Sequence, residues 1–246
     1  MMAPTGDDIE QMTDDHNQTT DGSEQATDGH GRAADTDDVT PTLGPDTTIR
    51  SNYVFQRYDE TIERTISFRP ATMERDLGRL HKWLGYDHVA EFWELNLPLP
   101  AFRDHFAEKL AEDHLTPLIG YIDHVPMSYW EVYWPSEYEL DDYYDTAPGD
   151  RAAHLLIGPP EYVGNGYAKA LFRAMGLMLF SHPETDRVVG EPDVDNDVVI
   201  NILEQCGFEP HKEFYFEEAD KDALLLLCEY DDFEAALLDD SPALLA

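Results

Sequence analysis

The sequence predicts an α/β protein built around one central mixed β-sheet, and three observations carry that prediction. Residues 150–208 read as strand, glycine loop, helix, strand, acidic turn and helix, a β-α-β unit. Upstream of it lie four short strand-like runs with three helical patterns between them, and downstream lie two more strand-like runs. The composition also changes sharply near Asn52. Residues 1–50 hold no Phe, Trp or Tyr, and 12 acidic against 2 basic residues, whereas every aromatic residue falls later. The first 50 residues are therefore expected to be a disordered acidic tail, because they cannot bury enough apolar surface to offset the entropy of ordering. Residues 51–246 remain for one domain, long enough for a sizeable core.

Tyr53–Tyr58 and Thr65–Arg69 alternate as strands, the second stopped by Pro70. Thr72 is placed to cap a helix with Met73, Leu77, Leu80 and Leu84 on one face and Gly85 at its end. His88–Leu95 forms a second short helix. Pro98-Leu99-Pro100 separates it from a third over Ala101–Glu112, so three helices cap one side of the sheet. Leu115–Ile122 and Val125–Trp134 read as a hairpin around Asp123-His124. Along its second strand Tyr129, Glu131 and Tyr133 share one face. Residues 135–150 form a Tyr- and Asp-rich loop, a lid or a binding wall. Ala152–Ile157 is a buried strand ended by Gly158-Pro159-Pro160, and Arg187–Glu191 is a second strand stopped by Pro192. Glu213–Glu217 and Ala223–Tyr230 close the sheet as a hairpin, followed by a helix over Phe233–Leu238.

With 52 acidic and 16 basic residues the chain carries a formal charge of −36, and −26 remains once the tail's −10 is removed. The acidity is spread over tail and domain, which points to halophilic adaptation, where close counter-ion screening offsets self-repulsion. Such a charge argues against nucleic acid or an anionic membrane as partner. Two cysteines, Cys206 and Cys228, make no disulfide framework, and no His/Cys cluster has metal-ligand spacing, so no metal is expected. There is no signal-like N-terminus and no 18-residue apolar run, which gives a soluble, cytoplasmic expectation.

Gly164 and Gly166 allow a tight turn that presents the first amides of the following helix to an anion. The run is neither GxGxxG, since Lys169 replaces the third glycine, nor a P-loop. Strand, V-G-N-G-Y-A (163–168), helix, strand ending in E-P-D, then D-N and C-G-F-E resembles the acyl-CoA-binding core of the GNAT N-acyltransferase superfamily. HKWLGYDHVAEFWEL (81–95), YWEVYW (129–134), YYDTAPGDRAAHLLIGP (143–159) and VVGEPDVDN (188–196) resemble its siderophore-biosynthesis branch, that of the aerobactin-type N6-hydroxylysine acetyltransferase and the mycobactin lysine acyltransferase. The similarity spans about residues 60–235. Aminoglycoside 6′-N-acetyltransferases share the central unit.

The resemblance implies the GNAT fold, with acetyl-CoA lying between two splayed parallel strands. It implies a cofactor set of Ile157, Val163, Gly164, Asn165, Gly166, Tyr167, Ala168 and Asn196, with Val163 where the superfamily usually has Gln or Arg. Tyr167 is a packing or a cofactor residue, and Asn196 a helix cap or a cofactor contact. On the residues alone His154 is a strand histidine and Asp193 a turn or capping aspartate; the resemblance implies that they form a catalytic pair. Leu203 stands where many GNAT enzymes have a Tyr that protonates the leaving thiolate, which leaves the general acid open. Trp93, Glu131 and Tyr133 are the candidate acceptor pocket, Glu131 because a carboxylate in an aromatic strand must be exposed or paired. The expected reaction is acetylation of the hydroxylamine nitrogen of N6-hydroxylysine or a related N-hydroxy diamine in hydroxamate siderophore synthesis, alongside siderophore-pathway enzymes. An aminoglycoside or general amine acetyltransferase is the alternative enzyme, and a catalytically silent acyl-CoA-binding or interaction protein the alternative of another class.

Overall fold

A computed structural model describes residues 53–245; the expected acidic tail lies outside the described residues. The order is β1 (Phe55–Asp59), β2 (Arg64–Pro70), α1 (Met73–Leu84), α2 (Asp87–Trp93), α3 (Leu99–Ala111), β3 (Leu115–Ile122) and β4 (Val125–Tyr133), then β5 (Asp150–Ile157), α4 (Tyr167–Phe180), β6 (Arg187–Gly190), α5 (Asp197–Glu204), β7 (Glu209–Phe216), β8 (Lys221–Glu229) and α6 (Tyr230–Asp240). The eight strands form one mixed sheet in the order β1-β2-β3-β4-β5-β6-β8-β7. Every neighbouring pair is antiparallel except β5 and β6, the two strands joined through α4.

One face of the sheet packs on α4, α5 and α6 through Phe68, Trp130, Leu171, Met175, Leu226 and Phe233. The other face carries two separate apolar clusters. The first joins α1, α2 and α3 to Ile119, Tyr129 and Leu156; the second joins Tyr133, Ala152, Val189 and Leu225 to Leu140 of the 134–149 loop. That loop is a wall, not a lid, since Leu140 is fully buried and the Tyr144 hydroxyl is bonded to Asp150 at 2.8 Å. The cap helices are locked to the end of β5 at Gly158, where an added Cβ would fall 2.1 Å from the Trp83 ring.

Among the departures from expectation are one helix cap and two element starts. Thr72 occupies the N-cap of α1, but its side chain makes no capping bond. Asp76 does the work instead: its carboxylate accepts the Thr72 amide at 2.8 Å and pairs with the buried Arg69 at 2.7 Å. Helix α3 begins at Leu99 because Pro100 lies in its first turn, where a missing N–H costs nothing. Strand β7 begins at Glu209, four residues early, because it is an edge strand with its first five residues exposed and so has no inward alternation to read. The Asp123-His124 hairpin turn holds both residues at positive φ, 47° and 69°.

Candidate active site

Antiparallel pairing sets Glu131 of β4 directly opposite His154 of β5, and Tyr129 opposite Leu156. Residues opposed in this way share a face. Tyr129, Glu131, Tyr133 and His154 therefore all face the side carrying the cap helices and the 134–149 wall, and His154 sits at the seam between those two clusters. Trp93, at the end of α2, approaches from the cap, its ring edge-on to His154 with centroids 6.4 Å apart. Tyr138 approaches from the wall at 6.2 Å.

Two carboxylates flank the imidazole. Nε2 lies 2.6 Å from Glu191 Oε1, a charge-assisted hydrogen bond, and Nδ1 lies 3.6 Å from Glu131 Oε2, too long for a hydrogen bond but close enough for charge attraction. Glu131 also accepts the Tyr129 hydroxyl at 2.9 Å, and the Tyr133 hydroxyl stands 3.3 Å from Nε2. His154 keeps 28% of its side chain in contact with solvent, against 7% for Glu131 and 3% for Glu191. Burial by itself would lower the His154 pKa, but the charges of Glu191 and Glu131 outweigh it and raise the value to about 9. Burial would likewise raise both carboxylates, yet His154 holds each below the usual range, helped at Glu191 by Lys221. Burial and the adjacent carboxylates push the Tyr129 and Tyr133 hydroxyls well above their usual value, so both stay neutral donors.

Glu191 is the residue that sequence reasoning missed. Pro192 behind it biases Glu191 to extended backbone, so it continues the side-chain alternation of β6 beyond Val189. That parity was the available signal. Asp193, expected as the partner of His154, lies two residues further on. Its carboxylate accepts the Asp195 amide at 2.8 Å, and its backbone bridges to Ala223 of β8.

The other edge of β5 is a backbone slot. Its pairing with β6 runs only from Asp150–Arg187 to Ala152–Val189 and then stops. The Gly158 amide bonds Met127 O at 2.9 Å, so Gly158, Leu156 and His154 turn their peptide groups to β4, and by alternation Ala153, Leu155 and Ile157 turn theirs to the parted edge. The Ile157 carbonyl is taken by His88 Nε2 at 3.0 Å. Gly164 and Gly166 have φ of 74° and 78°, with nothing within 4 Å of an added Cβ, and Gly166 is the N-cap of α4. The first amides of α4 have no intrahelical acceptor. Val163 is exposed, and Asn165 bonds the carbonyls of Glu161 and Val163. Half-buried Tyr167 packs its ring on Tyr162 at 5.6 Å, with Ala168 beside it in the first turn. Asn196 is a cap: its side chain accepts the Val199 amide at 3.2 Å. Leu203 is buried in the cluster on the α4 face and offers no hydroxyl. Among the described residues no three His, Cys, Asp or Glu side chains are grouped so as to hold a metal ion, and no helix is long and apolar enough to cross a membrane.

A family model described as an acetyltransferase (GNAT) domain matches residues 72–216. The chain is 35% identical over 164 residues to an N(6)-hydroxylysine O-acetyltransferase of Escherichia coli, covering 66% of this chain and 52% of that protein, so it spans about half that relative's length. It is 30% identical over 166 residues to an N-hydroxyputrescine acetyltransferase of Acinetobacter baumannii, covering 68% of this chain and 78% of that one. Among solved structures, an uncharacterized protein from Bacillus halodurans matches with a TM-score of 0.73 and 40% identity, over 76% of this chain and 95% of its own. The aminoglycoside acetyltransferase AAC(6′)-Ib in complex with coenzyme A matches at 0.63 and 25%, over 69% and 98%.

Proposed function

The chain belongs to the GNAT acetyltransferase family, and from that premise we propose that it transfers an acetyl group from acetyl-CoA to the hydroxylamine nitrogen of N6-hydroxylysine or a related N-hydroxy diamine. The observation that carries the reading is His154, held between Glu191 and Glu131 where β5 parts from β6. The named E. coli and Acinetobacter relatives support the acceptor class, and the slot supports the acyl donor.

The residues present fit acetyl-CoA, which supplies the acetyl thioester when bound. Gly164 and Gly166 open the turn, and the free N–H groups of the first turn of α4 would donate to a pyrophosphate. The Ala153 carbonyl and the peptide groups of Leu155, which lie beyond the last β5–β6 pair, suit an amide-bearing chain laid along β5. Val163, Asn165, Tyr167 and Ala168 line the turn, while Asn196 serves by capping α5.

A hydroxylamine nitrogen is far less basic than a lysine amine, whose pKa is about 10.4. It meets the thioester already neutral, so no strong base is needed before attack. His154, with its pKa raised to about 9, enters as an imidazolium at neutral pH. It gives its proton to the departing thiolate, the role that Leu203 cannot fill, and then takes the proton released by the acylated nitrogen. Glu191 and Glu131 stabilise the charged form at rest and fix the ring's orientation. Trp93 and Tyr133 wall the acceptor, and Asp193, half-exposed behind Glu191, offers it a further carboxylate.

A thiol-release assay with acetyl-CoA against N6-hydroxylysine, N-hydroxyputrescine, lysine and kanamycin tests this reading. Turnover is expected with the hydroxylamines and about 10³-fold slower with lysine, whose amine, with a pKa of about 10.4, is neutral in only about one molecule in 10³ at pH 7. Turnover with kanamycin or lysine alone defeats it, and no turnover with any acceptor returns the chain to a silent binding role. Rates that rise with KCl would support salt adaptation as the reason for the −36 charge.

A further inference from the structure

We infer that Lys221 receives a carboxylate of the acceptor, so that the acceptor is an α-amino acid and not a diamine or an aminoglycoside. This rests on the reading of the His154 seam as the acceptor site.

Lys221 opens β8, and alternation puts it on the same face as Ala223 and Leu225. Leu225 belongs to the cluster of Tyr133, Ala152 and Val189, so Lys221 lies on the acceptor face. Its Nζ is fixed there: it donates to the Glu191 carbonyl at 2.8 Å and sits 5.8 Å from the centre of the Phe216 ring. Glu191 thus touches the reaction centre with its side chain, 2.6 Å from His154, and Lys221 with its backbone. One residue, Glu191, therefore joins the ammonium to the imidazole, so that both border the same seam.

The charge of Lys221 is only partly accounted for inside the chain, by its help in holding Glu191 ionised. In a chain with 52 acidic residues, Lys109, a lysine near Glu131, is paired with Glu112 at 3.0 Å, and Arg187 with Asp150 at 2.7 Å. Among the described residues Lys221 is in no ion pair within 4 Å, although the half-buried Asp193 lies opposite Ala223 on the neighbouring segment. A half-buried ammonium bonded to one carbonyl retains two donors. The seam then presents carboxylates at Glu131, Glu191 and Asp193, and cations at His154 and Lys221. An acceptor that carries both an ammonium and a carboxylate complements both signs. A diamine or an aminoglycoside brings only cations and gains nothing from Lys221.

The test compares N6-hydroxylysine with N-hydroxycadaverine, the same molecule without its carboxylate, in the wild type, Lys221→Met and Lys221→Arg. The wild type is expected to prefer hydroxylysine. Lys221→Met should raise its KM about 10- to 100-fold more than that for hydroxycadaverine, the range for losing one charge-assisted hydrogen bond. Lys221→Arg should restore part of the preference. Wild type that takes hydroxycadaverine equally well, or a Met variant that weakens both acceptors alike, overturns the carboxylate inference and leaves hydroxylamine acylation standing. Wild type that acylates lysine but neither hydroxylamine overturns the hydroxylamine reading, and the lysine–cadaverine pair then decides Lys221 in the same way. Turnover of none of the four defeats both.

Discussion

On the proposed cofactor side of β5 the site is made of backbone: two glycines at positive φ, the free amides of a helix start and the peptide groups of a parted strand. On the proposed acceptor side it is made of side chains drawn from far apart in the chain, with His154 held between Glu131, 23 residues before it, and Glu191, 37 residues after. Backbone sites are rigid and indifferent to most substitutions around them, whereas a charged cluster with two nearly buried carboxylates depends on every member. The same division implies that variants on the two sides should fail differently, one in cofactor KM and the other in kcat and pH response.

The largest effect is expected at the centre of the cluster. His154→Gln keeps an amide donor near Glu191 but can neither carry nor pass a proton, and should lower kcat by about 10²- to 10⁴-fold. The KM for acetyl-CoA should stay near the wild-type value, since the slot is on the other edge. A steady-state comparison that finds kcat within a few-fold of wild type would remove His154 from the chemistry.

Next comes Glu191→Gln, which removes the closer of the two charges that raise the His154 pKa to about 9. A rate that needs protonated His154 should hold until near pH 9 in the wild type and then fall; in the variant that alkaline limb should move toward the ordinary histidine value of 6.5. Stability must follow the same sign. Because the folded-state pKa is the higher one, the stabilisation from His154 is complete below about pH 6.5 and is lost as pH rises through about 9. The variant's melting temperature should be flatter over that window. An alkaline limb that does not move assigns the rate to some other group.

These two residues also show what the sequence could and could not reveal. The β-α-β unit, the hairpin at Asp123-His124 and the glycine turn are local patterns, and each stands where the pattern put it. The cluster depends on register. Glu131 meets His154 only because β4 and β5 pair at that position, and a slip of one residue would turn one of them to the opposite face. Glu191 was passed over for Asp193 because an acidic residue before a proline reads as the end of a strand; only the parity from Val189 marks it as facing inward. Asp76 was hidden in the same way. Its partner Arg69 lies across a strand–helix junction, so Thr72, the residue with the right local chemistry, drew the capping assignment instead.

A smaller effect is expected on acceptor binding from Glu131→Gln. The amide still accepts the Tyr129 hydroxyl, so packing is kept while one charge leaves His154. The KM for the acceptor should rise several-fold, of the order of 1 kcal/mol for a partly screened charge, with that for acetyl-CoA unchanged. Equal changes in both constants would place Glu131 in the framework of the sheet alone.

The smallest effect, and the one that best separates the two sides, is at Gly166. An added methyl group there meets nothing within 4 Å, so the reason for glycine is its φ of 78° and not crowding. Gly166→Ala should cost about 1–2 kcal/mol, the penalty for a side chain in the left-handed region, seen as a drop of a few degrees in melting temperature. Part of that strain can be relieved by letting the turn relax, which shifts the α4 amides and raises the acetyl-CoA KM with kcat and the acceptor KM little changed. Asparagine enters the left-handed region more easily than alanine although it is larger. Gly166→Asn should therefore be the milder substitution on both readouts. If asparagine is the more damaging of the two, the turn is limited by the volume of what binds it, and the cofactor side is governed by side-chain contact after all.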